Sequence, residues 1–463
     1  MKQIRTRIAP SPTGEDLHIG NAYTALINYV LAKKHGGQFI VRIEDTDRTR
    51  LVEGSEQQIL SSLAWLGIPH DEGPDIGGKY GPYRQSDRLQ LYQKHAEELA
   101  TKGHAYYCFC TPLRLAEMRK AQEASHQPPM YDGLCRDIPP SEAQKRIDAG
   151  EKYVIRLKTP KDGITTFTDV IRGQISFENK LIDDQVLLKS DKFPTYHLGV
   201  VVDDHLMQIT HIIRGEEWIS STPKHILLYE FFGWEKPIYA HMPLLRNPDK
   251  SKLSKRKNPV WVSWYREQGF SPEAVRNYLA LMAWSYPEDK EIFTTEEMMT
   301  VFTLERIQTT APVFNIEKLR WINGEYIRKT QNSILKAQIE TFFAGKYTGD
   351  LVEKILPLVK ERMKTFVEFE SLAGFFFDKP ISYEKSIDEK QALVLIQALT
   401  DCDWTHLTLE QAIRDAAAKE GIKPKELFMA LRILISGKTV GPPLMESLEI
   451  LGRAETLSRL GKN

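Results

Sequence analysis

The sequence predicts an α/β protein built on a doubly wound parallel sheet, interrupted by an insertion and continued by an all-α region. Three observations carry that expectation. Residues 3–9 and 38–44 read as short buried strands joined by a helical stretch, which makes a right-handed βαβ unit. Strand-like runs recur at 153–157, 185–189 and 198–202, followed by a helix-like run at 223–232; such alternation suits a sheet with helices on both faces, a Rossmann-like arrangement. Beyond about residue 320 strand signals fade and helical ones repeat.

Each element has a local reason. The first helix, 21–35, places Ala22, Ala25, Leu26, Tyr29 and Val30 on one face and stops at Gly36-Gly37. Residues 100–190 break the strand–helix rhythm with prolines and three clustered cysteines, so they read as an insertion. In the tail, Thr408-Leu409-Glu410-Gln411 has the form of a capping box, Ile413 and Ala417 share a face, and Gly421 ends the helix. Leu427, Ala430, Leu431 and Leu434 make the next apolar stripe. The expected division is 1–100 and 191–240 for the two halves of the sheet domain, 101–190 for the insertion, 241–322 for a connecting region and 323–463 for the helical region.

Composition narrows the function classes. With 463 residues and 41% hydrophobic content the chain can bury several cores. Lysine plus arginine equals aspartate plus glutamate at 62 each, so a polyanion would have to be met by local basic patches. No apolar run approaches the ~18 residues of a membrane span, and Pro10 and Pro12 interrupt any signal core. Four cysteines in so long a chain imply a reducing, cytoplasmic setting and one metal site at most, not a disulfide framework.

Two stretches suggest nucleotide chemistry without a glycine-rich phosphate loop. His18-Ile19-Gly20-Asn21 lies where a strand turns into a helix, a place that favours anions. His18 could donate to phosphate oxygens there, and Gly20 lets a nucleoside approach the backbone; taken alone, the tetrapeptide also fits a histidine capping a turn. Lys252-Leu253-Ser254-Lys255-Arg256 follows the turn signal Asn247-Pro248-Asp249, so its lysines could close over a triphosphate, although a solvated charge run has the same look.

The motifs together point to one family. Ala9-Pro10-Ser11-Pro12-Thr13-Gly14, His18-Ile19-Gly20, Arg42-Ile43-Glu44-Asp45-Thr46-Asp47-Arg48 and Lys252–Arg256 occur in order. Between them fall Gly81-Pro82-Tyr83-Arg84-Gln85-Ser86, Tyr196-His197-Leu198, Val202-Asp203-Asp204-His205 and Arg214-Gly215-Glu216-Glu217-Trp218, and Phe314–Leu319 follows. This set closely resembles the glutamyl-tRNA synthetases, which are class I aminoacyl-tRNA synthetases. It departs from them at Asn21, where the family pattern has a second histidine, and at Arg256, where it has a serine.

The resemblance implies ATP-dependent ligation of L-glutamate to tRNA(Glu) through glutamyl-adenylate, by a protein acting as a monomer, with Mg²⁺ accompanying ATP. It implies catalytic roles for His18, Lys252 and Lys255, with Lys255 foremost. Arg7 and Arg214 would bind carboxylate, Glu44 the ammonium, and Ser11 and Tyr196 would complete the glutamate pocket. His18, Gly20, Glu217, Trp218, Leu245 and Lys255 would face ATP, and Asp47 the tRNA 3′ end. The insertion would guide the acceptor end and the helical region would read the anticodon, with Arg362 as a base-contact candidate.

Cys108, Cys110 and Cys135 supply three thiolates, and tetrahedral zinc needs a fourth ligand. Tyr131, Asp137 and His126 are the candidates; zinc-bearing relatives use a histidine at the position of Asp137 or a tyrosine four residues before the last cysteine, the position of Tyr131. Three rivals are disfavoured. A glutaminyl-tRNA synthetase would carry β-barrel anticodon domains, a glutamyl-queuosine synthetase would lack the helical region, and a non-catalytic RNA-binding regulator would not need His18 and Lys255.

Overall fold

The computed structural model describes residues 3–253 and 259–461. These residues form two compact units, one of residues 1–264 and 275–315 and a second of residues 265–274 and 316–463.

Among the described residues the strands are, in chain order, β1 (Arg5–Ile8), β2 (Gln38–Val41), β3 (Ala105–Cys108), β4 (Val154–Leu157), β5 (Ile164–Asp169), β6 (Gly173–Glu178), β7 (Val186–Leu188), β8 (His211–Gly215) and β9 (Ile238–Met242). β1 and β2 pair in parallel with Arg7 opposite Ile40, joined by the helix Ile19–Lys34, so the predicted βαβ unit is present. The helix begins two residues before the expected start, with His18 as its N-cap. β8 and β9 pair in parallel with Arg214 opposite His241. Every residue of β1 is buried although two are arginines. Alternation puts Arg5 and Arg7 on one side of the strand, and each meets a buried acid: Glu72 for Arg5 and Asp204 for Arg7.

Two strand expectations are corrected. Residues 198–202 lie within a helix, Tyr196–Leu206, whose Leu198, Val200, Val201 and Val202 are all buried. A helix apolar on every side imitates a buried strand, because periodicity cannot separate the two over so short a run. The runs at 153–157 and 185–189 are strands, β4 and β7, but they join β3 in a separate antiparallel sheet. Conversely, β5 and β6 form a hairpin that belongs to the four-stranded sheet β6-β5-β9-β8, with Asp169 beside Tyr239.

The second unit contains helices only among its described residues. One core gathers Leu335, Ile355, Val359, Met363 and Phe369, and another gathers Leu395, Leu409, Ile413, Leu427 and Leu431. The N-cap of the helix His406–Glu420 is Thr405, three residues before the predicted cap, because Thr405 and Thr408 form the capping box. It ends at Gly421, which takes the left-handed φ of 65° that a side chain disfavours.

Candidate functional site

A cleft of about 290 Å³ opens at the carboxyl ends of β1 and β8 and beside the first turn of the helix Ile19–Lys34. Ligands of open α/β sheets bind at such strand ends. Arg7, Glu44, Tyr196 and Arg214 line it, the predicted glutamate pocket without Ser11. His18, Gly20, Glu217, Trp218, Leu245 and Lys252 line it as well, so the predicted nucleotide residues share the same space. Asn21, the point of departure in the first motif, also faces the cleft. Ser11 stands outside the lining, but its hydroxyl donates to the Glu44 carbonyl at 2.7 Å. Lys255 lies outside the described residues.

His18 takes up the capping use its sequence suggested. Its Nδ1 accepts the Gly20 backbone N–H at 3.0 Å, which caps the helix. In the neutral ring the proton then sits on Nε2. A Cβ added at Gly20 would lie 3.1 Å from that Nδ1, tight against the ring. Trp261 meets the imidazole edge to face at 6.0 Å.

The two predicted carboxylate-binding arginines are held differently. Arg7 is buried and bonds Asp204 with Nε at 3.0 Å and Nη2 at 3.2 Å. Asp204 also takes Arg42 Nη1 at 2.6 Å, and Arg42 reaches Glu44 at 3.1 Å. Asp203 accepts from Arg88 at 2.7 Å and from Gln85 and Tyr92. Arg7, Arg42 and Arg88 thus balance Asp203, Asp204 and Glu44 within one buried network. Burial opposes ionisation of Asp204, but Arg7 and Arg42 outweigh it and hold its carboxyl below the usual range. Burial wins at Glu44 and raises its carboxyl in spite of Arg42.

Arg214 has no such partner among the described residues. Its Nε bonds His241 Nε2 at 3.1 Å, Nη2 bonds Thr222 Oγ1 at 2.9 Å, and Nη1 bonds Tyr196 Oη at 3.2 Å. Both terminal nitrogens lie 3.3 Å from His225 Nδ1. Tyr196 stacks on Trp218 with ring centroids 4.2 Å apart. Burial depresses His225 well below its ordinary value and brings His241 to about 4 and His197 to about 3, so these rings are neutral near pH 7.

No sequence feature gave a role to Asp204, although it stands in the motif stretch Val202-Asp203-Asp204-His205, and none singled out Thr222, His225, His241 or Asp169. Asp203-Asp204 had a signal, two acids closing an apolar run. The others come from distant elements and share no local pattern.

In the β3–β4–β7 subdomain, the sulfurs of Cys108, Cys110 and Cys135 lie within 4.8 Å of one another. The Tyr131 hydroxyl sits 3.4 Å from Cys108 Sγ and 3.3 Å from Cys110 Sγ. Four donors therefore converge, with spacings close to the ~3.8 Å between ligands of a tetrahedral zinc with Zn–S bonds of about 2.3 Å. Asp137 is corrected as a ligand candidate: its side chain is 86% exposed and pairs with Lys158. His126 is likewise exposed and outside the cluster. Asp47 is half-buried, bonded to Thr49 and Arg50, and Arg362 is exposed in the turn after the helix Asp350–Val359.

Residues 3–321 match the family described as tRNA synthetases class I (E and Q), catalytic domain, and residues 328–463 match the anticodon binding domain. The chain belongs to the glutamate–tRNA ligases. It is 47% identical over 482 residues to the glutamate–tRNA ligase of Acidothermus cellulolyticus, covering 99% of this chain and 94% of that one. It is 48% identical over 469 residues to that of Thermus thermophilus, with 99% of both chains covered. A solved glutamate–tRNA ligase from Elizabethkingia meningosepticum, in complex with its amino acid, superposes with a TM-score of 0.88 at 36% identity over 99% of each chain. The ligase from Elizabethkingia anophelis gives 0.86 at 36% identity, again over 99% of each. No helix among the described residues is long and apolar enough to cross a membrane.

Proposed function

We propose that this chain ligates L-glutamate to tRNA(Glu) with ATP, releasing AMP and pyrophosphate for protein synthesis in the cytoplasm. The observation that carries the reading is the single cleft shared by two arginines, Glu44, His18 and Lys252, in a chain similar to glutamate–tRNA ligases from end to end.

The substrate α-carboxylate attacks the α-phosphorus of ATP, and pyrophosphate leaves. The terminal adenosine hydroxyl of the tRNA then attacks the acyl carbon, and AMP leaves. Neither step needs a protein nucleophile; the site supplies position and compensating charge. Arg7 and Arg214 take carboxylate oxygens and Glu44 takes the ammonium, while Ser11 orders the Glu44 backbone. Glu217, Trp218 and Leu245 border the ATP, His18 donates Nε2–H to phosphate, and Lys252 with Lys255 offsets charge on departing pyrophosphate. Mg²⁺ enters as part of the ATP substrate. With Asn21 in place of a second imidazole, the lysines carry more of that charge.

Cys108, Cys110, Cys135 and Tyr131 fit a zinc ion that would stiffen the 101–190 insertion where it meets the acceptor end. Elemental analysis of purified protein should find about one zinc per chain, and Tyr131→Phe should lower that content whereas Asp137→Ala should not; wild-type protein without zinc contradicts the site. Asp47 is assigned to the tRNA 3′ end, and Arg362 within residues 323–463 to the anticodon.

ATP–pyrophosphate exchange with glutamate, with tRNA present, tests the whole reading. Exchange dependent on glutamate is expected, and its absence overturns the assignment. Lys255→Ala should lower kcat with little change in the glutamate KM; a change in KM alone removes the charge-offsetting role.

A further inference from the structure

The ring around Arg214 has a property that its neighbours lack. Arg5, Arg7, Arg42 and Arg88 each meet a protein carboxylate. Every polar contact of Arg214 goes instead to His225, His241, Thr222 or Tyr196. We propose that this neutral cradle sets the choice between an anionic and an amide side chain, by withholding a protein counter-ion from Arg214 so that the substrate's own carboxylate must supply it. The proposal rests on the reading of Arg214 as a partner of the glutamate side chain.

The cradle is wired so that its lone pairs face the guanidinium. Asp169 accepts from His241 Nδ1 at 2.7 Å, which leaves Nε2 unprotonated toward Arg214. The same carboxylate is held by the backbone N–H groups of Ile171, Arg172 and His241, so it stays one imidazole away from the arginine. His225 repeats the device. Its Nδ1 accepts from Arg214, and its Nε2 lies 3.1 Å from His197 Nδ1, which fixes the proton on Nε2. Thr222 gives its hydroxyl proton to the Trp218 carbonyl at 2.9 Å and accepts from Arg214. Asp204, the nearby acid of the other wall, is committed to Arg7 and Arg42.

The energetic consequence follows from charge pairing. Hydrogen bonds from neutral acceptors satisfy the geometry of a guanidinium but leave its charge uncompensated in a buried site. The Nη1 bonds to Tyr196 and His225, at 3.2 and 3.3 Å, are long enough to be shared with an incoming carboxylate. An amide offers an oxygen but no charge, and its NH₂ would face a cation. Had the cradle contained a carboxylate, Arg214 would be satisfied without substrate and the distinction would shrink. His225, His241 and Thr222 act through Arg214 and are positioning residues.

The test is tRNA-dependent pyrophosphate exchange with glutamate and with glutamine in three proteins: wild type, His225→Gln and His225→Glu. The glutamine variant keeps a neutral acceptor; the glutamate variant installs a counter-ion. His225→Glu should raise the glutamate KM by about tenfold or more, equivalent to about 1.4 kcal/mol, and narrow the glutamate-to-glutamine preference by a similar factor, with the KM for ATP unchanged. His225→Gln should raise the glutamate KM by no more than about threefold and keep the preference. A His225→Glu protein with wild-type KM and preference overturns the proposal, as does His225→Gln behaving like His225→Glu. Thr222→Asp brings the same charge from the first residue of its helix, so loss of folding in one variant leaves the other to decide. A wild type that exchanges nothing with glutamate overturns the glutamate reading itself, and this outcome differs from an active wild type whose variants keep their preference.

Discussion

The two walls of the cleft each present a buried arginine, and they are built on opposite plans. On the β1 wall Arg7 is locked to Asp204 inside a network that also holds Arg42, Arg88, Asp203 and Glu44. On the β8 wall Arg214 is surrounded by neutral acceptors. The first arrangement makes the arginine part of the fold, since separating a buried pair strands a charge. The second leaves the arginine's charge for a ligand. On the proposed reading, two residues of the same type, both anticipated as carboxylate binders, divide their work between stability and recognition.

The largest expected effect probes the first wall. Asp204→Ala removes the acid shared by Arg7 and Arg42 and should destabilise the catalytic unit by about 3–5 kcal/mol, read as a fall in the urea midpoint. A midpoint within error of wild type would break the contrast from that side. Arg7→Gln should come next. It removes one of the two arginine partners of Asp204 and leaves Arg42, so a loss of about 1–3 kcal/mol is expected, accompanied by a rise in the glutamate KM. A large KM effect with no loss of stability would place Arg7 in the same class as Arg214.

The smallest effect concerns pH. Burial raises the Glu44 carboxyl despite Arg42 beside it. Because this group takes up its proton at a higher pH than an ordinary glutamate, the partner proposed for the ammonium is lost first as pH falls. The glutamate KM should therefore rise on the acid side before the carboxylates of the free amino acid titrate. In Glu44→Gln the KM should be high and lack this rise. An unchanged acid limb in that variant would assign the titration to another group.

Much of the cleft was legible in the sequence because the family motifs carry it residue by residue: Arg7, His18, Glu44, Tyr196, Arg214 and Lys252 all line one space. Their partners were not legible. The cradle of Arg214 draws Asp169 from a hairpin, His225 from a helix and His241 from β9, and only tertiary structure brings these together. Leu198–Val202 reads as strand in the sequence because burial on all sides erases the helical period. The β4 and β7 runs were recognised as strands, yet nothing in a short apolar run states which sheet it joins. The zinc candidates show the same limit. Tyr131 and Asp137 stand on opposite sides of Cys135 in the sequence, and only the fold turns one inward and the other to solvent.

On the proposed reading Arg214 is kept for the ligand, whereas Arg7 serves the fold as well. Arg214→Gln, assayed for glutamate KM in tRNA-dependent exchange and for its urea midpoint on the same preparation, tests it most directly. A KM raised between about ten- and a hundredfold is expected, the worth of about 1.5–3 kcal/mol for a charge-assisted bond, with the midpoint close to wild type. A variant that loses stability while its glutamate KM stays at the wild-type value would contradict the account.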